Sequence, residues 1–150
     1  MTKSINHRLF FPNPVEAVWE YLTKAELMEQ WLMKSDFQLA LGHEFQFRSN
    51  PAPAIQFDGI VYCKVLEIIP FKKLSYSWKC GPGKGQILID SIVVWTLTPK
   101  DNGTELIVAH SGFKENEGLE LVAAMDKGWL VNMKKILERL NADKHGATQL

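Results

Sequence analysis

Apolar residues recur at steps of three and four between Leu119 and Leu140, close to the C-terminal end of the chain. The members of this stripe are Val122, Met125, Trp129, Met133, Ile136 and Leu140. The spacing predicts an amphipathic α-helix, because residues three and four apart lie on the same helical face. A stripe of such bulky side chains needs a large apolar partner surface. We therefore expect the upstream chain to supply that surface as one curved sheet.

Upstream of this helix, apolar and polar residues mostly alternate, which predicts β-strands. The predicted strands cover residues 4–11, 44–48, 57–69, 73–79, 86–98 and 104–112. Two short helices follow the first strand, with Asn13 and Thr23 placed as their N-caps. Gly59 marks a bulge or a close approach of two backbones. Short turn-like segments join successive strands, which favours an antiparallel α+β arrangement in a single domain over residues 1–142, followed by a flexible tail over 143–150.

The alternation predicts which side chains face the space between sheet and helix. From the strands they are Phe45, Phe47, Val61, Cys63, Tyr76, Trp78, Val93, Trp95, Val108 and His110, and from the helix Met125, Trp129 and Met133. Aromatic and methionine side chains adapt well to flat or irregular apolar ligands. The same side chains also fill ordinary protein cores, which is the commoner role for any one of them. A packed interior and a ligand pocket both remain open.

His110 is the polar position of greatest interest, because it continues the inward alternation of Leu106 and Val108. We favour a structural histidine that bonds a nearby backbone group or a tyrosine hydroxyl. The alternative is a ligand contact or an acid–base group near neutral pH, with Tyr76 as its polar partner. No histidine and cysteine spacing resembles a metal site, and no nucleophile motif is present. We therefore expect no catalytic residue, no metal and no cofactor.

Composition narrows the classes of partner. The chain carries 17 basic and 17 acidic residues, so net charge gives no reason to expect nucleic acid. No apolar run approaches the roughly 20 residues that span a bilayer. The first residues lack the apolar centre of a signal peptide, so the expected location is cytoplasmic. The two cysteines are too few for a disulfide framework.

Four segments in a fixed order carry a resemblance to a known family. They are Phe11–Trp19, Glu26–Trp31, Asn102–Leu106 with His110–Phe113, and Gly128–Trp129 with Leu137 and Leu140. The chain resembles the START-like (SRPBCC) superfamily, and within it the branch named for the activator of the 90-kDa heat-shock protein ATPase. One departure is Leu32-Met33-Lys34, where members often carry a second tryptophan and a Gly/Pro-rich stretch. The mouth of a pocket is expected to differ there.

The resemblance implies a helix-grip (START/Bet v-like) fold, in which about six to seven antiparallel strands wrap around the long C-terminal helix. It also implies a cavity for a small hydrophobic or amphipathic ligand, which is our leading functional hypothesis. A regulator of a chaperone ATPase, associated with the stress response, is the second hypothesis. An enzyme of the cyclase or aromatase kind, acting on a polyketide-like or aromatic substrate, is the third. The protein is expected to be a monomer or a homodimer.

Overall fold

The computed structural model describes residues 3–114 and 116–149. The strands are β1 (Lys3–Phe11), β2 (Lys34–Ser35), β3 (Glu44–Arg48), β4 (Ile60–Ile69), β5 (Lys73–Cys80), β6 (Ile89–Lys100) and β7 (Gly103–Phe113). The helices are α1 (Val15–Thr23), α2 (Ala25–Trp31) and α3 (Leu119–Gln149), and a 3₁₀ turn covers Pro53–Ile55.

Within the described residues, seven strands form one sheet in the spatial order β1-β7-β6-β5-β4-β3-β2. Every neighbouring pair is antiparallel, and β2 to β7 follow one another as a meander. The predicted α+β helix-grip architecture is confirmed. The two-residue strand β2 was not predicted, because so short a segment has no periodic pattern to read.

Strands β4 and β6 begin at Ile60 and Ile89, later than predicted, and the turn between β6 and β7 is shorter than predicted. The segment around Pro99 was predicted as a turn, yet β6 continues to Lys100 and the turn itself is Asp101–Asn102. Both turn residues have positive φ, 49° and 63°, as a two-residue hairpin turn requires. The pairing of β6 with β5 reaches only to Thr96, so the missing N–H of Pro99 removes no hydrogen bond from that side.

Gly59 lies just before β4 and not inside it, and the predicted close backbone approach is confirmed. Its φ is +93°, and a Cβ added there would lie 2.5 Å from the carbonyl oxygen of Ser49. The Ser49 N–H donates to the Gly59 carbonyl oxygen at 2.8 Å. Only glycine meets both conditions without strain, so this residue pins the β3–β4 loop to the sheet.

The predicted helix caps were wrong. Pro14 occupies the N-cap of α1 and Lys24 that of α2, and neither has a side-chain cap hydrogen bond. Thr23 instead donates its hydroxyl to the carbonyl oxygen of Trp19, one turn earlier in α1. The Thr104 hydroxyl of β7 donates to the carbonyl oxygen of Asn13 at 2.8 Å. A tertiary contact thus holds the strand-to-helix corner where the sequence suggested a local cap.

The long helix α3 packs on the sheet with Trp129 at the centre of the contact. Trp129 is 2% exposed, and its ring centroid lies 5.1 Å from that of Trp78 and 5.4 Å from that of Trp95. The other members of the predicted stripe are buried as well, except for the half-buried Met125. The structure describes α3 as far as Gln149, and Leu150 lies outside the described residues. The flexible tail expected over residues 143–150 stays a prediction.

None of the helices in the part of the chain that the structure describes is long and apolar enough to cross a membrane.

Candidate functional site

A cavity of about 180 Å³ opens between α3 and the adjacent ends of β4 and β5. The chain after α2 and the loop before β4 complete its walls. The lining residues are Leu32, Met33, Ile55, Phe57, Val61, Trp78, Cys80, Leu121, Ala124, Met125, Gly128, Trp129 and Asn132. The walls are almost wholly apolar, with the carboxamide of the half-buried Asn132 as the main polar exception. Apolar walls with few polar groups are typical of small-molecule sites.

Two small residues of α3 create the space on the helix side. Ala124 and Gly128 are four residues apart and therefore lie on the same helical face. A Cβ added at Gly128 would meet no heavy atom within 4 Å. The cavity thus exists because the helix presents a missing side chain beside the bulky Trp129.

A chain of three hydrogen bonds holds Trp129 in place. Its indole Nε1–H donates to Nδ1 of His110 at 3.0 Å. Because an indole can only donate, Nδ1 is the acceptor and the imidazole proton sits on Nε2. Nε2 lies 2.7 Å from Ser91 Oγ, and the Ser91 hydroxyl donates to the backbone carbonyl of Trp78 at 2.9 Å. Every polar group of His110 is satisfied inside the protein.

Burial lowers the pKa of His110 to about 3. Its side chain is fully buried and does not line the cavity, so the imidazole is neutral and structural. The favoured structural role is therefore observed, but with a serine and a tryptophan as partners where a backbone group or tyrosine was expected. Tyr76, the other half of the predicted polar pair, has its hydroxyl oxygen accepting from Trp95 Nε1 at 2.9 Å, and burial raises its pKa.

Trp78 and Cys80 form the part of the cavity wall that β5 provides. Among the described residues, Nε1 of Trp78 has no hydrogen-bond partner. The Cys80 sulfur is near enough to interact with this N–H, but the contact does not reach hydrogen-bond geometry. Burial raises the pKa of Cys80 to about 12, so its thiol stays protonated and is a poor nucleophile.

A second depression, of about 470 Å³, lies on the outer face of β3, β4 and β5. Its walls carry charges of both signs, from Asp36, Glu44, Arg48, Lys64 and Lys79. This surface suits a polar contact and not an apolar ligand. Among the described residues, no group of three or more His, Cys, Asp or Glu side chains is placed to hold a metal ion.

Four of the thirteen predicted site residues line the apolar cavity: Val61, Trp78, Met125 and Trp129. The other nine are buried in the core: Phe45, Phe47, Cys63, Tyr76, Val93, Trp95, Val108, His110 and Met133. Several of these fill space against one another, as Phe45 and Tyr76 do with ring centroids 5.5 Å apart. Alternation identifies the inward face of a strand but not how deeply each side chain is covered. A ligand contact for these nine stays a prediction.

Seven lining residues were not predicted, namely Ile55, Phe57, Cys80, Leu121, Ala124, Gly128 and Asn132. Those on α3 follow helical spacing one position away from the buried stripe, and Cys80 continues the alternation of Trp78. These signals were available in the sequence. Ile55 ends the 3₁₀ turn, where no periodicity points to it, and Phe57 lies before β4, although the predicted strand began there. Leu32 and Met33, from the segment that departs from the family pattern, also line the cavity.

Comparisons with known proteins agree with this architecture. The sequence model of the family described as "Activator of Hsp90 ATPase homolog 1-like protein" matches residues 12–141. A crystal structure of MLL2253 from Mesorhizobium loti is 31% identical, with a TM-score of 0.82 over 93% of this chain and 98% of that one. The solution structure of BH1534 from Bacillus halodurans is 26% identical, with a TM-score of 0.71 over 92% and 98%.

A third structure shares the fold at lower identity. The solution structure of the Aha1 dimer from Colwellia psychrerythraea is 20% identical, with a TM-score of 0.73 over 91% of this chain and 94% of that one. No curated protein matches the sequence of this chain.

Proposed function

Because the chain belongs to the activator of Hsp90 ATPase homolog 1-like family, we propose that it binds a small hydrophobic or amphipathic molecule between the sheet and α3. The observation that carries the proposal is the apolar cavity beside Trp129, left open by the missing side chain of Gly128. The hydrogen bonds through His110 hold the indole of Trp129 in one orientation, so this wall is formed before a ligand arrives. A preformed wall lowers the entropy cost of binding.

The volume limits the ligand. An engineered apolar cavity of about 150 Å³ in another protein takes up benzene. A cavity of about 180 Å³ therefore suits a single ring or a short chain. Drug-sized ligands occupy pockets of about 300–1,000 Å³. A sterol or a fused polyketide would have to extend beyond the cavity.

Filling the cavity from the helix side tests the proposal. In Gly128→Leu the new side chain enters the cavity without a clash at Cβ, and replacing a helical glycine favours the helix by up to about 1 kcal/mol. We expect the variant to fold and to lose binding of a one-ring probe such as α-methylstyrene by more than about tenfold, because part of the apolar burial is lost. Titration by tryptophan fluorescence, confirmed by native mass spectrometry, gives the dissociation constants.

Ala124 and Ala123 offer a matched control, because both are exposed alanines of α3 and only Ala124 lines the cavity. Ala124→Leu should weaken probe binding, whereas Ala123→Leu should leave it within about twofold. Equal effects of the two changes, or no binding by the unaltered protein to any one-ring or short-chain probe, would contradict the proposal.

The family description favours a second function, regulation of a 90-kDa chaperone ATPase. The charged depression on the outer face of β3, β4 and β5 is the described surface that suits such a polar contact. Pull-down of the purified chaperone, together with its ATPase rate with and without this protein, tests the hypothesis. A change of rate that Gly128→Leu leaves intact would separate this function from ligand binding.

Other expectations stay proposals. Cyclase-like or aromatase-like catalysis would need groups other than His110 and Tyr76, since both are hydrogen-bonded to other side chains.

The Aha1 protein from Colwellia psychrerythraea was solved as a dimer, so a homodimer and a monomer are both hypotheses for this chain. Light scattering after size exclusion distinguishes the two. A cytoplasmic location likewise stays a prediction.

A further inference from the structure

The indole N–H of Trp78 differs from those of three other buried tryptophans. Trp31 donates to the carbonyl oxygen of Tyr21 at 2.8 Å, Trp95 to the Tyr76 hydroxyl and Trp129 to His110. The Trp78 side chain is just as buried, at 3% exposure, yet among the described residues its nitrogen has no hydrogen-bond partner.

A buried donor without an acceptor costs free energy, and buried indole N–H groups usually have a partner. The Cys80 sulfur is the group beside this N–H, and a thiol is a weak acceptor. Both Trp78 and Cys80 line the apolar cavity, while the indole nitrogen itself is buried beside the Cys80 sulfur, so a molecule in the cavity must displace that thiol to reach the N–H. An acceptor atom on a molecule in the cavity would be a stronger partner than sulfur.

The walls of the cavity also disfavour a charged ligand. Among the described residues that line the cavity, none carries a charged side chain. A buried ion there would have no partner, which is strongly unfavourable. An anion faces a second obstacle, because the Asp58 carboxylate is close enough to add to the effect of burial in raising the pKa of Cys80.

We propose that the occupant of the cavity is a neutral molecule of about one ring whose carbonyl or ether oxygen accepts the indole N–H of Trp78. This inference rests on the proposed ligand-binding function and adds the chemical class of the ligand. Trp78 then determines specificity, since it distinguishes an oxygen-bearing ring from a hydrocarbon of the same shape.

A matched pair of probes tests the inference. Acetophenone and α-methylstyrene have nearly the same shape and differ in a carbonyl oxygen against a methylene group. Their dissociation constants are measured with the unaltered protein and with Trp78→Phe, which keeps an aromatic ring and removes the N–H. Any change of cavity shape affects both probes, so the ratio of the two constants isolates the hydrogen bond.

We expect the preference for acetophenone over α-methylstyrene to fall about three- to tenfold in Trp78→Phe, which is the net worth of one neutral hydrogen bond. In nitrogen–proton correlation spectra, the Trp78 indole signal, assigned by its loss in the variant, should move downfield with acetophenone and not with α-methylstyrene. Benzoate, with a charged acceptor, should bind at least tenfold more weakly than acetophenone.

The outcomes separate the two proposals. If both probes bind, Gly128→Leu blocks both, and Trp78→Phe leaves their ratio unchanged, the inference about Trp78 is overturned while ligand binding stands. If neither probe nor any other one-ring compound binds the unaltered protein, both proposals fail. Should Trp78→Phe not fold, the indole shift in the unaltered protein decides, and equal shifts with the two probes would overturn the inference.

Discussion

We expect the buried imidazole of His110 to make the stability of this fold depend on pH. Lowering the pH from 7 to 5 is the perturbation. In the folded protein, burial lowers the pKa of His110 to about 3, whereas an unfolded chain leaves it near the ordinary value of about 6.5. Below pH 6.5 the unfolded state therefore binds a proton that the folded state does not. The stabilisation is fully present above pH 6.5 and is lost as the pH falls toward 3.

The size of the effect follows from the difference between the two pKa values. Each pH unit between them is worth 2.303RT, about 1.4 kcal/mol. From pH 7 to pH 5 the loss is about 2 kcal/mol, because titration of the unfolded chain begins only near 6.5. This is a large part of the roughly 5–15 kcal/mol that holds a typical domain together. The effect of His110 is best measured above pH 5, because most carboxylates begin to protonate below that pH and would add their own effects on stability.

Urea unfolding at half-unit pH steps, followed by tryptophan fluorescence, measures the effect. The reference is His110→Asn, whose carboxamide oxygen keeps an acceptor for Trp129 and does not titrate. The variant should be less stable at pH 7 but should lose about 2 kcal/mol less than the unaltered protein on going to pH 5. Equal losses would refute the reasoning. Should the variant not fold, imidazole nitrogen shifts of the unaltered protein decide, since His110 protonated at pH 5 would refute it as well.

Two further changes test how the sheet is held, each by urea unfolding at pH 7. Gly59→Ala should lower the free energy of unfolding by on the order of 3 kcal/mol, because the new Cβ would clash with the Ser49 carbonyl oxygen at a residue of positive φ. The control is Gly42→Ala, also at positive φ but with open space around it, which should cost only about 1 kcal/mol. Similar costs would show that the contact with Ser49 is unimportant. Thr104→Val should cost about 1–3 kcal/mol by removing the hydroxyl that donates to the Asn13 carbonyl. A neutral result would mean that this bond does not hold the corner.

The burial pattern explains why the fold was predictable in such detail. Along β5, the inward residues Leu74, Tyr76 and Trp78 alternate with residues that are less buried or polar. Along α3, Trp129 and Met133 keep helical spacing and are both buried. Such periodicity reports which face of an element is apolar, and a sheet and a helix with one apolar face each must pack those faces together.

The sequence by itself determined the α+β architecture and the meeting of helix and sheet at Trp129. It did so because the periods of two and 3.6 residues are local properties of the chain. Only the tertiary structure decided where space remained. The cavity is lined by Gly128, by the loop at Ile55 and by residues of three other segments. Its volume is the space that the side chains of all these segments leave unfilled, so it cannot be read from any one of them. The same holds for His110, whose partners Ser91 and Trp129 each lie 19 residues away along the chain.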